Sequence, residues 1–129
     1  MKRLLTGVLV LLFSSGMVHA NKITVYNLTD CIFMVKLRSD VPFPYYILQS
    51  VPGTVTAQST TANNFISGSA IYNYGTPNAI SIEAGFTPLF PSYANSSLLI
   101  NDMLCVANGY YTIFWQQQSL TADIQLVIF

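Results

Sequence analysis

The segment AISIEA, residues 79–84, has the clearest alternation of apolar and polar side chains in the chain. Successive side chains of a β-strand point to opposite faces of its sheet. This spacing therefore predicts a half-buried strand with Ile80, Ile82 and Ala84 facing inward. The residues GTPN, 75–78, precede the segment and are typical of a turn. Together they indicate a strand that begins directly after a turn.

Short runs rich in β-branched and aromatic residues lie on both sides of this strand, with turn residues between them. We predict strands over residues 23–28, 31–37, 45–51, 54–61, 69–74, 103–107, 110–116 and 124–129. The last run is apolar on both faces and indicates a central strand. Asn108-Gly109 favours a hairpin, because both central residues of a type I′ turn need a positive φ. About eight or nine short strands predict an all-β fold, an antiparallel β-sandwich with a small barrel as the alternative.

The N-terminus has the three parts of a cleavable signal peptide. Lys2 and Arg3 are basic, residues 4–13 form an apolar run, and residues 18–20 carry side chains that a signal peptidase tolerates. The apolar stretch is shorter than the ~20 residues of a spanning helix, which disfavours the alternative of an uncleaved anchor. We predict a signal peptide over residues 1–20, one domain over residues 21–129, and a secreted or periplasmic location.

Charged side chains are scarce and make up 8% of the full chain. A nucleic-acid-binding protein needs clustered basic residues to neutralise phosphates, and a polybasic membrane patch needs the same. The predicted domain has no such cluster in its sequence, so we expect no nucleic-acid partner. Its charged residues are Lys22, Lys36, Arg38, Asp30, Asp40, Glu83, Asp102 and Asp123.

Cys31 and Cys105 are the only cysteines in the chain. In an oxidising compartment they predict one intramolecular disulfide, which would stabilise the fold by ~4.5 kcal/mol on the chain-entropy model. Free buried thiols and a cross-link between chains are the alternatives. Two thiols without a histidine partner do not make a metal site, so we expect none.

Catalytic chemistry finds little support in the sequence. The only histidine, His19, lies in the predicted signal peptide. The acidic residues form no short-range pair for acid–base catalysis, and no base is available to activate a serine or threonine. We predict no catalytic residue, no cofactor and no enzymatic activity. The alternative is a glycan-acting enzyme in which two carboxylates meet in space.

Paired tyrosines are the most conspicuous polar-aromatic feature of the predicted domain. Sugar-binding sandwiches stack aromatic rings on sugar faces and add amide and hydroxyl partners, and both kinds of residue are abundant here. The alternative is that the rings only pack on strand faces, with one tyrosine of each doublet pointing inward. The candidate aromatic platform consists of Tyr45, Tyr46, Tyr72, Tyr74, Tyr110 and Tyr111.

Residues 85–97 break the strand pattern. Pro88 and Pro91 cannot donate to a ladder, so the segment indicates a long loop. A loop this apolar must either fold back on the core or contact a partner. The candidate contact loop carries Phe86, Leu89, Phe90 and Tyr93.

These observations predict a non-enzymatic envelope or extracellular accessory protein that acts by binding or assembly at its surface. The partner is a protein, a glycan or a membrane surface. A membrane-active or host-directed protein using the Phe86–Tyr93 loop is the second class, and a glycan-acting enzyme is the third. Asn27 and Asn95 match the N-glycosylation pattern, and the sequence leaves open both their modification and the oligomeric state.

Overall fold

The structure, a computed structural model, describes residues 20–41, 45–59, 63–97 and 103–129. These residues form nine strands in two packed sheets that do not close into a barrel. The predicted all-β sandwich is thereby confirmed. The strands are β1 (Lys22–Asn27), β2 (Phe33–Ser39), β3 (Tyr46–Ser50), β4 (Gly53–Gln58), β5 (Phe65–Tyr72), β6 (Ile80–Gly85), β7 (Tyr93–Asn95), β8 (Thr112–Gln116) and β9 (Ile124–Ile128).

The two sheets have the strand orders β4-β1-β9-β8-β7 and β3-β2-β5-β6. Neighbouring strands are antiparallel except for β1 and β9, which run parallel. The final strand is therefore central in the five-stranded sheet, as its apolar sequence predicts. Residues 1–19 of the predicted signal peptide lie outside the described residues. Within the described part of the chain, no helix is long and apolar enough to cross a membrane.

The core fills the space between the inner faces of the two sheets. Trp115 on β8 is the largest fully buried side chain, and it packs against Gly68 on β5. A Cβ added at Gly68 would lie 3.1 Å from both the Trp115 ring and a Leu37 methyl group. The absence of a side chain at Gly68 therefore makes room for the indole between the sheets.

A disulfide between Cys31 and Cys105 closes one end of the sandwich, with the two Cα atoms 5.1 Å apart. The predicted pairing is confirmed. Asn27 organises the turn before Cys31: its Nδ2 donates to the Cys31 and Ser50 carbonyl oxygens, and its Oδ1 accepts from the Thr29 N–H and hydroxyl. A bond of this kind is typical of an oxidising environment.

The predicted hairpin around Asn108-Gly109 is not formed. Residues 103–107 contain no strand, and a single bridge pairs Met103 with Gly109. Gly109 has a positive φ of 74° but Asn108 does not, so the turn is not type I′. The physical reason is the disulfide: Cys105 is held against Cys31, and its carbonyl accepts the Asp30 N–H at 3.2 Å. These contacts draw the segment across the end of the sandwich and away from a ladder.

Candidate functional site

One row of apolar side chains crosses the outer face of the five-stranded sheet. Tyr26 on β1 lies opposite Val127 on β9. Phe114 on β8 lies opposite both Val127 and Tyr93 of β7. Directly paired residues project to the same face, so these four side chains form one line. Tyr93 is 54% exposed and Phe114 is 39% exposed, whereas Tyr26 and Val127 are half-buried. We call these four residues the aromatic row.

A second row of uncharged polar side chains runs beside the aromatic row. Thr24 lies opposite both Thr56 and Gln125, and Gln125 lies opposite Gln116. Hydroxyl and amide groups both donate and accept hydrogen bonds. The outer face therefore combines ring surfaces with neutral hydrogen-bonding groups, and we call these four residues the polar row.

On the other side of the aromatic row, the end of the sheet opens into a groove of about 460 Å³. The turn after β1, the loop held by the disulfide and the ends of β7 and β8 form its walls. Tyr93 belongs to both the aromatic row and the groove, so the two surfaces are continuous. The groove is lined by Leu28, Thr29, Asp30, Tyr93, Asn95, Cys105, Val106, Ala107, Asn108, Tyr110, Thr112 and Phe129.

Hydrogen bonds hold the polar side chains of the groove in place. Asn95 Nδ2 donates to Thr112 Oγ1 over 2.9 Å, and Asn95 Oδ1 accepts the Ser97 N–H at 2.6 Å. Asn95 and Thr112 are also direct partners in the β7–β8 ladder. Side chains already held by the fold lose little further conformational freedom when a ligand binds. The Asn95–Thr112 side of the groove is thus preorganised.

The predicted tyrosine platform is not assembled on one surface. Tyr46 lies opposite Leu37 on β2, whereas Tyr72 lies opposite Phe33, near the other end of the same strand. Tyr74 lies beyond Tyr72 in the turn after β5. Tyrosines at opposite ends of a sheet cannot stack on one small ligand.

Two of the remaining platform tyrosines have well-defined surroundings away from each other. The Lys36 Nζ lies 4.0 Å from the centroid of the Tyr45 ring, on the outer face of the four-stranded sheet. Tyr110 is half-buried and lines the groove. Of the six candidate platform residues, Tyr110 is the one that takes part in the groove.

Tyr111 belongs to the core rather than to a platform. Its ring is fully buried, with its centroid 4.7 Å from that of Phe33. The hydroxyl oxygen lies 2.7 Å from the Ala70 carbonyl oxygen and 2.9 Å from that of Ile80, and its single proton is donated to one of them at a time. Burial raises the pKa of Tyr111 far above its ordinary value. Tyr110 and Tyr111 thus divide between groove and core.

The candidate contact loop folds back on the four-stranded sheet. The Phe86 N–H donates to the Ile66 carbonyl, and the Gly85 N–H donates to the Pro91 carbonyl, each over 2.8 Å. Phe86 and Phe90 are half-buried, and the Arg38 guanidinium lies 5.4 Å from the Phe90 ring centroid. The exposed candidates are Leu89, at 60%, and Tyr93. The loop therefore divides between packing and exposed surface, and Tyr93 joins the aromatic row.

Several described carboxylates make hydrogen bonds or ion pairs with other residues of the fold. Glu83 accepts a 2.7 Å hydrogen bond from the Ser67 hydroxyl and lies 3.8 Å from the Arg38 guanidinium. Asp40 accepts the Asn64 N–H, and Asp123 accepts the Lys22 N–H. Asp102 lies outside the described residues. Among the described side chains, no three of the His, Cys, Asp and Glu type lie close enough to hold a metal ion.

The two possible glycosylation sites differ in their surroundings. Asn27 is buried, and its Nδ2 already donates to two carbonyl oxygens. A glycan on that nitrogen is incompatible with the folded turn. Asn95 is half-buried and lines the groove, where its Nδ2 donates to Thr112.

Sequence reasoning missed the aromatic row, although each strand contains a trace of it. In β8 and β9 the outward positions include Phe114 and Val127, so these strands are apolar on both faces. That pattern predicts burial on both sides, and it equally fits an exposed apolar face. The alignment of the four residues depends on strand order and register, which the alternation of single segments does not reveal.

Comparison with protein-family models, with curated proteins and with solved structures found no match to this chain.

Proposed function

We propose that this protein is an exported, non-enzymatic binding protein that holds an uncharged glycan chain on the aromatic row and in the groove. The observation that carries the proposal is the continuity of the two surfaces through Tyr93. A glycan chain presents apolar ring faces and hydroxyl edges in alternation. A ligand of this kind fits a line of rings flanked by hydroxyl and amide side chains.

The size and polarity of the groove support a small, neutral ligand unit. Its volume of about 460 Å³ falls within the roughly 300–1,000 Å³ that is usual for ligand sites. Tyr93 and Tyr110 supply rigid rings with polar tips, and Asn95 and Asn108 supply amides. Tyrosine and asparagine give recognition surfaces contact area and adaptable hydrogen bonding at low entropic cost.

The proposed function includes no catalysis. The carboxylates of Glu83, Asp40 and Asp123 accept hydrogen bonds within the fold, which supports a structural role for them. Export is supported by the disulfide and by the signal peptide that residues 1–20 predict. Among the described residues that line the groove, Asp30 is the one with a carboxylate side chain, and acid–base hydrolysis of a glycosidic bond uses two.

A glycan array that contains both uncharged and anionic chains tests the proposal, with Tyr93→Ser and Phe114→Thr as variants. Both residues are exposed, so the melting temperature should change little while binding to uncharged chains falls by about tenfold or more. Tyr74→Ser removes an equally exposed tyrosine that neither belongs to the aromatic row nor lines the groove, so it is the matched control and should bind normally. Wild-type protein that binds no glycan, or equal binding by all three variants, would contradict the proposal.

Membrane contact is the second candidate function, and one observation favours it. Leu104, beside the disulfide, is 98% exposed, and Leu28 lies exposed at the same end of the sandwich. Sedimentation with neutral and anionic vesicles distinguishes the two functions. Vesicle binding that Leu104→Ser removes and Tyr93→Ser leaves intact would replace the glycan proposal with this one.

A further inference from the structure

The two flanks of the sandwich differ in how their sheet edges are protected. On one flank the Phe86–Tyr93 loop closes the end of β6, where the Gly85 N–H donates to the Pro91 carbonyl. The adjoining edge strand β7 has only three residues. Short edges and covering loops are common ways of blocking unwanted strand pairing. This flank is therefore protected.

The opposite flank carries two longer edge strands, β3 and β4, joined through Val51 and Pro52. Among the described residues, no strand pairs with the outer edge of either one. The sequence of β4 is GTVTAQ, without charge or proline. Ile47 and Val51 are also exposed on this flank. An uncharged edge strand that lacks these protective features is a template for a further strand.

We propose that β4 pairs antiparallel with β4 of a second copy of this chain, across a twofold axis. Such an axis pairs residue i of one copy with residue j of the other, and j with i, so any charge on the strand enters the ladder twice and is repelled by its own copy. β4 is neutral and does not have this difficulty. Its Thr54 and Thr56 project to the outer face, where Thr–Thr cross-strand pairs form favourable hydrogen bonds. The strand is thus complementary to itself.

The pairing joins two five-stranded sheets into one continuous sheet of ten. The aromatic row ends beside β4, because Tyr26 lies opposite Thr54. Two aromatic rows would therefore lie on one continuous face, one on each side of the twofold axis. Two linked copies of a weak site bind a repeating ligand far more tightly than one copy does. The inference about pairing depends only on the edge strand and stands apart from the identity of the ligand.

Sedimentation equilibrium across micromolar to millimolar concentrations, on disulfide-intact protein, measures the association directly. We expect a reversible dimer, and we expect Thr56→Lys to weaken it by about tenfold or more because each copy then adds a positive charge to the same short ladder. Gln116→Lys adds the same charge to the same polar row on β8, away from this edge, and should dimerise as the wild type does. Both positions are exposed, so both variants should fold, which thermal melting checks.

Hydrogen exchange supplies the second measurement. Amides of β4 should gain protection as protein concentration rises, while those of β7 should not change. A monomeric mass at every concentration would overturn the proposal. A dimer that Thr56→Lys does not weaken, or whose protected amides lie in β7 instead of β4, would overturn it as well. A failure of glycan binding would leave each of these outcomes unaffected, so the two proposals are tested separately.

Discussion

Asn21 is a polar residue directly before β1, and the fold buries it almost completely. Its Nδ2 donates to the Phe65 and Leu120 carbonyl oxygens, and its Oδ1 accepts the Phe65 N–H at 2.8 Å. The side chain thus connects the start of β1 to β5 and to the turn before β9. A buried polar residue with this many partners fixes the position of the first strand.

We expect Asn21→Ala to lower the free energy of unfolding by about 2–3 kcal/mol. The change leaves the Phe65 amide and carbonyl without their partners in a buried setting, and that loss is the expected cause. Urea denaturation measures the effect. Asn78→Ala, in an exposed turn, is the control and should change stability by less than about 0.5 kcal/mol. Equal stabilities for the two variants would contradict this role.

The same residue bears on processing. We expect the exported protein to begin at Asn21, because cleavage there keeps the whole of β1 and the hydrogen bonds of Asn21. The Asn21 backbone nitrogen, which donates to Asn64 Oδ1 over 3.2 Å, then becomes the terminal amino group. N-terminal sequencing of exported protein decides the point. A start at Lys22 or later, or a retained Met1, would show the prediction to be wrong.

Tyr111 gives the fold a dependence on alkaline pH. Its folded-state pKa is raised by burial, whereas in the unfolded chain the phenol ionises near its ordinary value of about 10. Below the pKa of the unfolded state, both the folded and the unfolded chain keep the proton, and Tyr111 adds no pH dependence to stability. Above it the unfolded state loses the proton first, so the free energy of unfolding falls as pH rises.

We therefore expect stability to fall more steeply above about pH 10 in the wild type than in Tyr111→Phe, by up to about 1.4 kcal/mol per pH unit. At neutral pH the variant should be less stable by about 1 kcal/mol, since the hydroxyl no longer donates to the Ala70 or Ile80 carbonyl. Denaturation curves from pH 7 upward test both statements. Parallel pH profiles for the two proteins would exclude Tyr111 as the cause.

At the scale of single elements, the Phe86–Tyr93 loop has two parts: Phe86 and Phe90 pack on the fold, whereas Leu89 and Tyr93 are exposed. Phe90 lies against Gly85, where an added Cβ would be 2.9 Å from the Phe90 Cβ, and its ring lies beneath Arg38. We expect Phe86→Ser with Phe90→Ser to lower the melting temperature by several degrees, because half-buried rings are lost from the edge of β6. Leu89→Ser, at the exposed tip, is the control and should melt as the wild type does. Unchanged melting of the double variant would return both rings to the list of contact residues.

Strand identity could be predicted from the sequence because period-2 alternation is a local property. AISIEA, residues 79–84, corresponds to β6, and the apolar run 124–129 corresponds to the central strand β9. Residues 103–107 have a similar local composition but form no strand, since the disulfide at Cys105 outweighs local preference. Pairing, sheet order and the parallel contact of β1 with β9 are long-range properties, and no segment encodes them alone.

The candidate site could be predicted only in part, because it too depends on long-range strand pairing. The sequence identifies both Tyr93 and Tyr110 as candidates, but in two separate groups, the contact loop and the tyrosine platform. The groove unites them because β7 pairs with β8 and the disulfide draws the Cys105 loop alongside. Doublets of tyrosine are visible in a sequence, whereas a row across four strands is a product of register.

At the scale of the whole molecule, the disulfide links the stability of the domain to the shape of the groove. Cys31 lies just before β2 and Cys105 lies in the loop that forms a groove wall, 74 residues apart in sequence. Cross-linking residues so distant restricts the unfolded chain strongly. The same bond fixes the Cys105 loop, a groove wall that contains no strand. Its loss should therefore affect both the global stability and the local order of the loop, to different degrees.

We expect replacement of both cysteines by alanine to lower the free energy of unfolding by about 2–5 kcal/mol. Under native conditions, amides of residues 103–111 should then lose hydrogen-exchange protection while those of β9, at the centre of its sheet, keep theirs. Reduced wild-type protein serves as the control, because it lacks the bond but retains both side chains and should behave in the same way.

The loop is the part that changes first because its described contacts with the turn after β1 are few: the disulfide itself and the hydrogen bond from the Asp30 N–H to the Cys105 carbonyl. Alkylation of both thiols in native, unreduced protein would contradict the bond, and uniform loss of protection across β9 and the loop would contradict the local role assigned to it.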